Sequence, residues 1–201
     1  MHLDSFAQNT EQNTKAVRVG YYASTDFQNG AADYLVKSGY SYEYLQKIAY
    51  YTGWKYEYVY GTRDALYAQL LAGQIDLLAG IAYTDERAEQ IYYPKYEMGA
   101  ATTNNYSSIS DHSLAVGDPF YLCVAKNRTD LLTQLNHALG RIDQEEPVFL
   151  QNLQNQYFGE KTVDPTLSEQ EKKWLSAHAD IRFFQKAVWK EIIAFFNRTL
   201  R

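Results

Sequence analysis

At 201 residues, with 46% hydrophobic and 21% charged residues, the chain has material for one ordinary globular domain plus tails. A formal net charge of −5 argues against a nucleic-acid partner, which needs a concentrated basic stripe, and the single cysteine, Cys123, excludes an internal disulfide and any Cys-based zinc site. No stretch reaches the ~20 consecutive apolar residues that span a bilayer.

Met1 to Ala16 is polar and reads as a disordered N-terminal segment. Ser5-Phe6-Ala7 has the small-x-small form of a signal-peptidase site, but no apolar segment precedes it, so no signal sequence is expected within this chain. Ala16 to Gly20, followed by Tyr21-Tyr22, reads as a short strand running into a loop rich in Ser, Thr, Asp, Asn and Gly. From Tyr42 to Thr52 the residues Tyr44, Leu45, Ile48, Ala49 and Tyr51 recur at helical spacing, and Gly53 stands where a C-capping glycine belongs. Lys55 to Tyr60 alternates as a strand does, with Tyr56, Tyr58 and Tyr60 on one face. Asp64 is placed to cap the next helix, whose stripe is Leu66, Leu70 and Leu71 and whose end is Gly73. Ile75 to Ala79 is a short apolar strand of the kind found in the middle of a parallel sheet. The 19 tyrosines suit half-buried faces and wet clefts, or stand where other sequences carry Phe or Leu.

The order β-α-β-α-β implies a parallel sheet with right-handed crossovers. In such open sheets ligands sit outside the carboxyl ends of the strands, so the segments after Gly20, Tyr60 and Ala79 should share one rim. After Pro94 the pattern breaks, and residues 101–113 form a polar, turn-rich stretch that reads as a linker. Pro119 to Ala125 is again strand-like and should bury Cys123 as an inert thiol. Leu131, Leu132, Leu135, Ala138, Leu139 and Ile142 form a helical stripe, and Pro147 to Tyr157 a further short helix closing at Phe158-Gly159. Ala179 to Phe183 echoes Lys15 to Val19, but Phe184-Gln-Lys replaces Gly20-Tyr-Tyr, and Arg182 to Arg201 reads as a basic, aromatic helix. That helix packs on apolar surface, is a non-native reading frame, or lies on an anionic membrane.

Taken together these pieces resemble the family-3, amino-acid-type, periplasmic solute-binding proteins, which also serve as sensor domains. Val17-Arg-Val-Gly20 looks like their first strand, and Gly39-Tyr40 with the helix Tyr42 to Tyr51 like their first helix. Leu66-x3-Leu70-x2-Gly73-x-Ile75-Asp76 resembles the second helix and third strand, and Thr84-Asp-Glu-Arg87-Ala88 the family's "Thr-x-x-Arg" turn. Pro119 to Lys126, Leu131 to Leu139 and Phe149 to Gly159 look like the elements by which the chain re-enters its first lobe. Thr166 to His178 resembles the spacer joining tandem copies in membrane-bound sensors. The resemblance covers about residues 17–99 and 116–159. It implies an α/β fold: a single lobe of the periplasmic-binding-protein type II architecture, three-layer α/β/α with a mostly parallel sheet. The departure is that only 20 residues separate Met98 from Pro119, too few for a second lobe with its own core. The expected division is a disordered segment over 1–16, a solute-binding lobe over 17–160 with a linker at 101–115, and a spacer plus amphipathic helix over 161–201.

The resemblance also implies a site. Arg87 would pair in bidentate fashion with the solute's α-carboxylate; the alternative is a surface arginine paired with Glu86 or Glu89. In the loop Gly80 to Thr84 the donors would be backbone amides at Gly80 and onwards, Tyr83 and Thr84, with Thr84 alternatively a plain helix cap. Tyr22, Phe27 and Tyr40 would stack on the solute, or else pack loop against helix. Asp26 and Asp64 are loop acids that either meet a cationic group or stay solvated. No catalytic constellation stands out: His2, His112, His137 and His178 lack metal spacing, there is no Gly-x-Ser-x-Gly elbow or Walker loop, and Glu145-Glu146 reads as a solvated helix end. The expectation is therefore a non-catalytic, extracytoplasmic solute-binding or sensor domain for a small polar solute such as an amino acid, binding weakly, with no cofactor or metal. Its partners would be a membrane permease or a downstream kinase or cyclase module, and no nucleic acid. The alternative is a protein-interaction or self-association module built on the exposed half-cleft and the basic aromatic tail.

Overall fold

The computed structural model describes residues 16–159, Ser110 excepted, together with Gln170 and Lys173. The polar N-terminal segment, the sensor-type spacer, the repeat-like Ala179 to Phe183 and the basic aromatic helix lie outside the described residues, save for Ala16, Gln170 and Lys173.

Period-two alternation sets the first strand, β1 (Val17–Tyr21): Val17, Val19 and Tyr21 are buried, while Arg18 between them is half-buried. A helix, α1 (Tyr40–Thr52), follows and buries Tyr44, Leu45 and Ile48 on its apolar stripe; it ends at Gly53 in the left-handed conformation. Strand β2 (Tyr56–Tyr60) comes next, then helix α2 (Arg63–Leu71) and strand β3 (Leu77–Ala82), whose six residues are all buried. A short helix α3 (Asp85–Gln90) leads into β4 (Ile91–Tyr92) and β5 (Gly99–Ala100). After the four-residue helix α4 (Tyr106–Ile109) come β6 (Pro119–Ala125), α5 (Thr129–Glu145) and α6 (Phe149–Phe158).

Six strands form one sheet in the order β2-β1-β3-β6-β4, with β5 also paired to β6. β1 runs parallel to β2, from Val17 opposite Tyr56 to Tyr21 opposite Tyr60, and parallel to β3. Parallel neighbours need a crossover, and α1 and α2 supply the two required here. β6 enters from the other end and lies antiparallel to β3, β4 and β5. Helices cover both faces. Gly20 abuts Leu66 of α2, and a β-carbon there would sit 2.7 Å from Ile75 and 2.9 Å from Leu78. Val19 and Tyr21, next in the alternation, look to the other face, and α1 packs against α5 and α6.

Three expectations are corrected. The cap of α2 is Thr62, whose hydroxyl accepts from the Ala65 amide, while the side chain of Asp64 lies in solvent. Leu71 is exposed and leaves the stripe to Leu66 and Leu70. The third strand begins at Leu77 and extends through Gly80 and Ala82, because Asp76 is held as an anchor ahead of it. The Asp76 carboxylate accepts from Arg18 at 2.8 Å and from Arg128 at 2.7 Å, and its backbone bridges Arg18 and Ala125. Burial works to raise the pKa of Asp76, but hydrogen bonds from Arg18 and Arg128 outweigh it and hold it below the usual range.

The stretch read as a polar linker is packed down. Ala101, Ile109 and Leu114 are buried in the same core as the sheet, and Asn105 and Asp111 are buried with them, while Tyr106 and Ala115 are exposed.

Candidate functional site

Three strand ends reach the rim. After β1 comes Tyr22, after β2 the turn Gly61-Thr62 with Arg63 opening α2, and after β3 the turn Tyr83-Thr84 with Arg87 in the first turn and a half of α3. Thr84 accepts from the Arg87 amide at 3.2 Å, so its hydroxyl is the cap that aims α3. A register shift in β3 between Ala79 and Ile81 centres on Gly80, whose φ of 77° lies in the left-handed region. A β-carbon on Gly80 would stand 2.8 Å from Tyr22 Oη and 3.0 Å from Phe27 Cζ. Glycine is therefore needed twice over, for its backbone angle and for the rings that lie on it.

At this rim the groups converge on a carboxylate, that of Asp111 from the loop between β5 and β6. The Ala82 amide, at the end of β3, donates to Asp111 Oδ2 at 2.9 Å. Arg87 donates from Nη1 to the same oxygen at 2.9 Å and from Nη2 to Oδ1 at 3.3 Å, the two-pronged geometry of an arginine fork. Arg63 Nη2 lies 2.5 Å from Oδ2, and the Ser113 amide donates to Oδ1 at 3.0 Å. The side chain of Asp111 is 1% exposed, those of Arg63 and Arg87 12% and 18%. Arg87 also donates to the Ala82 carbonyl and to Ser113 Oγ, and its guanidinium lies over the Tyr67 ring at 5.5 Å. Arg63 Nε and Nη2 are both buried without a hydrogen bond, so Arg63 meets Asp111 as an ion pair.

Burial alone would push the Asp111 carboxyl up, but the Ala82 amide, the Arg87 fork and the Arg63 charge together hold it below the ordinary carboxylate range. For Arg87, burial pulls downward and the hydrogen bond to Asp111 prevails, so its pKa is raised. A pocket of about 360 Å³ opens beside the fork, lined by Tyr67, Thr84, Glu86, Arg87, Gln90 and Ser113 among others.

The residues singled out from sequence separate into two groups. Arg87, Thr84 and Tyr83 are on the rim. Tyr83 is half-exposed, donates to Asp85 at 3.2 Å and meets the Tyr93 ring edge-on. Gly80, Tyr22, Phe27 and Tyr40 lie beneath it: the three rings are buried, Phe27 stacks on Tyr40 at 6.2 Å, and both meet Phe120 edge-on. Tyr22 donates through Oη to the Ile109 carbonyl at 3.1 Å. These aromatics pack loop against helix and turn no ring face to a solute in this arrangement. Arg87 is not the surface arginine of Glu86 or Glu89, since Asp111 is its partner. Sequence reasoning missed Arg63 and Asp111. Arg63 stands three residues after a strand end on the predicted rim and was open to detection; Asp111 sits in a stretch with no periodicity to place it.

Among the described residues no group of three or more His, Cys, Asp and Glu could hold a metal ion, and no helix is long and apolar enough to cross a membrane.

Comparison with known folds bears on this geometry. The chain is similar to a histidine kinase sensor domain described as resembling periplasmic binding proteins, at 13% identity and a TM-score of 0.57, the match taking in 74% of this chain and 98% of that one. It is similar to an ancestral arginine-binding protein bound to glutamine, at 16% identity and a TM-score of 0.55, covering 72% and 98%. It is also similar to a periplasmic His/Glu/Gln/Arg/opine family-binding protein from Silicibacter pomeroyi in complex with lysine, at 16% identity and a TM-score of 0.53, covering 74% and 99%. These likenesses establish the fold of a periplasmic-binding-protein lobe. No curated protein matches the chain. The sequence profile of one family matches residues 18–160, from the first strand to two residues past the closing helix. The chain therefore belongs to the bacterial extracellular solute-binding proteins, family 3.

Proposed function

We propose that this chain is a non-catalytic, extracytoplasmic solute-binding or sensor lobe that recognises a small polar solute through its carboxylate. The observation that carries the reading is the convergence of the Arg87 fork, the Arg63 guanidinium and the Ala82 amide on one carboxylate at the carboxyl end of β3. A planar fork flanked by a backbone donor fits the two oxygens of an α-carboxylate, and two proteins of similar fold hold amino acids, glutamine in one and lysine in the other. Tyr83 and Thr84 border the clamp and complete its polar edge. Occupancy would be passed to a membrane permease or to a downstream kinase or cyclase module.

Affinity should be low. Solutes of two-lobed binding proteins are enclosed by closing lobes, and one rim supplies about half of those contacts, which places Kd at about a millimolar or weaker. Calorimetric titration against the amino acids, with Arg87→Ala as control, tests the reading. Millimolar binding abolished in Arg87→Ala is expected; micromolar affinity indifferent to Arg87 contradicts it.

A second reading has its own observation. The loop between the bridges at Asn29 and Ser38 presents Tyr34 at 87% and Val36 at 90% exposure, a contact surface for a protein partner or a second copy. Light scattering on the eluting protein separates the two: a monomer at all concentrations counts against self-association.

A further inference from the structure

Each end of β3 carries a buried aspartate clamped by two arginines, and the two are built differently. Asp76 belongs to the frame: its own amide donates to the Arg18 carbonyl and its own carbonyl accepts from Ala125, so its carboxylate cannot leave without opening the sheet. Asp111 belongs to a loop. Its carbonyl accepts from Leu114 within that same loop, and its side chain ion-pairs the segment to the rim, beside the neutral ties of Ser113 to Arg87 and of Ser108 to Ser24. The loop is closed at its base by hydrogen bonds among Ala101, Gly117 and Asp118, and pinned midway by buried Ile109, whose carbonyl accepts from Tyr22. Those attachments deliver one carboxylate to the Ala82 amide and the two guanidiniums. The flanking His112 and Ser113 are exposed and hold it with little apolar burial.

We infer that Asp111 is an internal surrogate for the solute's carboxylate: it occupies the clamp in the resting lobe, and a free carboxylate binds by displacing it. The inference rests on reading the rim as the solute site and adds its regulation. A group tethered by a short loop acts at an effective concentration on the order of millimolar or above, so the apparent affinity for an external carboxylate falls by the ratio of occupied to open clamp. The displaced loop, released from its one charged tie, would change the lobe's surface when solute arrives, which is what a sensor needs.

The experiment uses the full chain and its Asp111→Ala variant, with formate as probe, since formate beside an alanine methyl replaces the missing carboxylate. Melting temperature is followed against formate, with sodium chloride at equal ionic strength as control. Asp111→Ala is expected to melt below the parent and to regain roughly 5 °C in a saturable manner with formate. The parent should not respond, and Arg87→Ala/Asp111→Ala should lose the rescue. Binding of the tightest amino acid should strengthen about tenfold or more in Asp111→Ala. Absence of saturable rescue, or equal rescue without Arg87, overturns the inference. Formate rescue with no amino acid bound by either protein upholds the surrogate carboxylate and refutes the amino-acid reading. Amino-acid binding of equal strength in parent and variant does the reverse. Should Asp111→Ala fail to fold, as near-ultraviolet circular dichroism would reveal, Asp111→Ser keeps a polar atom for the Ala82 amide and carries the same comparison.

Discussion

A carboxylate as deeply buried as that of Asp111 stays ionised only while its partners stay close. Arg87 meets it from α3, Arg63 from the start of α2 and Ala82 from the end of β3, so three elements of the lobe are tied through two oxygen atoms. Its pKa is held below that of an unfolded aspartate, as is that of Asp76. The stabilisation each gives is complete above about pH 4 and is lost as pH falls through the folded value, because the unfolded chain takes up the proton first. Urea unfolding of the parent and Asp111→Asn over an acid series should therefore show a gap that is constant near neutrality and shrinks below about pH 4. A gap independent of pH would mean that the Asp111 carboxylate gains nothing from its partners. Of this site the sequence exposed Arg87, through the resemblance of Thr84 to Ala88 to the family's Thr-x-x-Arg turn. It hid Asp111, because a side chain that reaches its partners through loop geometry leaves no period to read.

At the scale of elements the local signals were strong where one residue type decides. Gly53 ends α1 as a capping glycine should, Pro119 to Ala125 forms β6 over its whole predicted span, and Leu131, Leu135 and Ile142 set the buried face of α5. They failed where neighbours compete. Thr62 and Asp64 are both cap residues, and the tertiary path after β2 selects the first. Ile75 looks like strand, yet the arginines gripping Asp76 hold that segment ahead of β3 and move the strand on to Ala82. Within that strand a bulge at Gly80 lies under Tyr22 and Phe27. Replacing Gly80 by Ala combines a left-handed backbone with a β-carbon 2.8 Å from Tyr22 Oη, and should destabilise the lobe by about 3 kcal/mol in urea unfolding. A cost below about 0.5 kcal/mol, the range of an ordinary surface change, would show that the bulge is not held by those rings.

Across the lobe the tyrosine surplus resolves into both of its expected uses. Tyr22, Tyr40 and Tyr44 are buried with burial raising their pKa, while Tyr56 and Tyr58 of β2 are half-buried beside Trp54 and Tyr21. The order of elements was enough to read the α/β class and the shared rim, since two crossovers between three parallel strands permit few topologies. What covers the rim was not legible: a polar stretch of low apolar content looks solvated until its isolated Ile109 and Leu114 are seen to reach the core. That loop sets the Asp111 carboxylate between two guanidiniums at the rim. A double-mutant cycle on unfolding free energy, comparing the parent with Arg87→Ala, Asp111→Ala and the double variant, measures the tie directly. The predicted result is a favourable coupling of about 1–3 kcal/mol, the double variant losing less than the two single changes summed. Additivity within about 0.5 kcal/mol would mean that arginine and aspartate do not sense one another, and that no carboxylate is clamped at this rim.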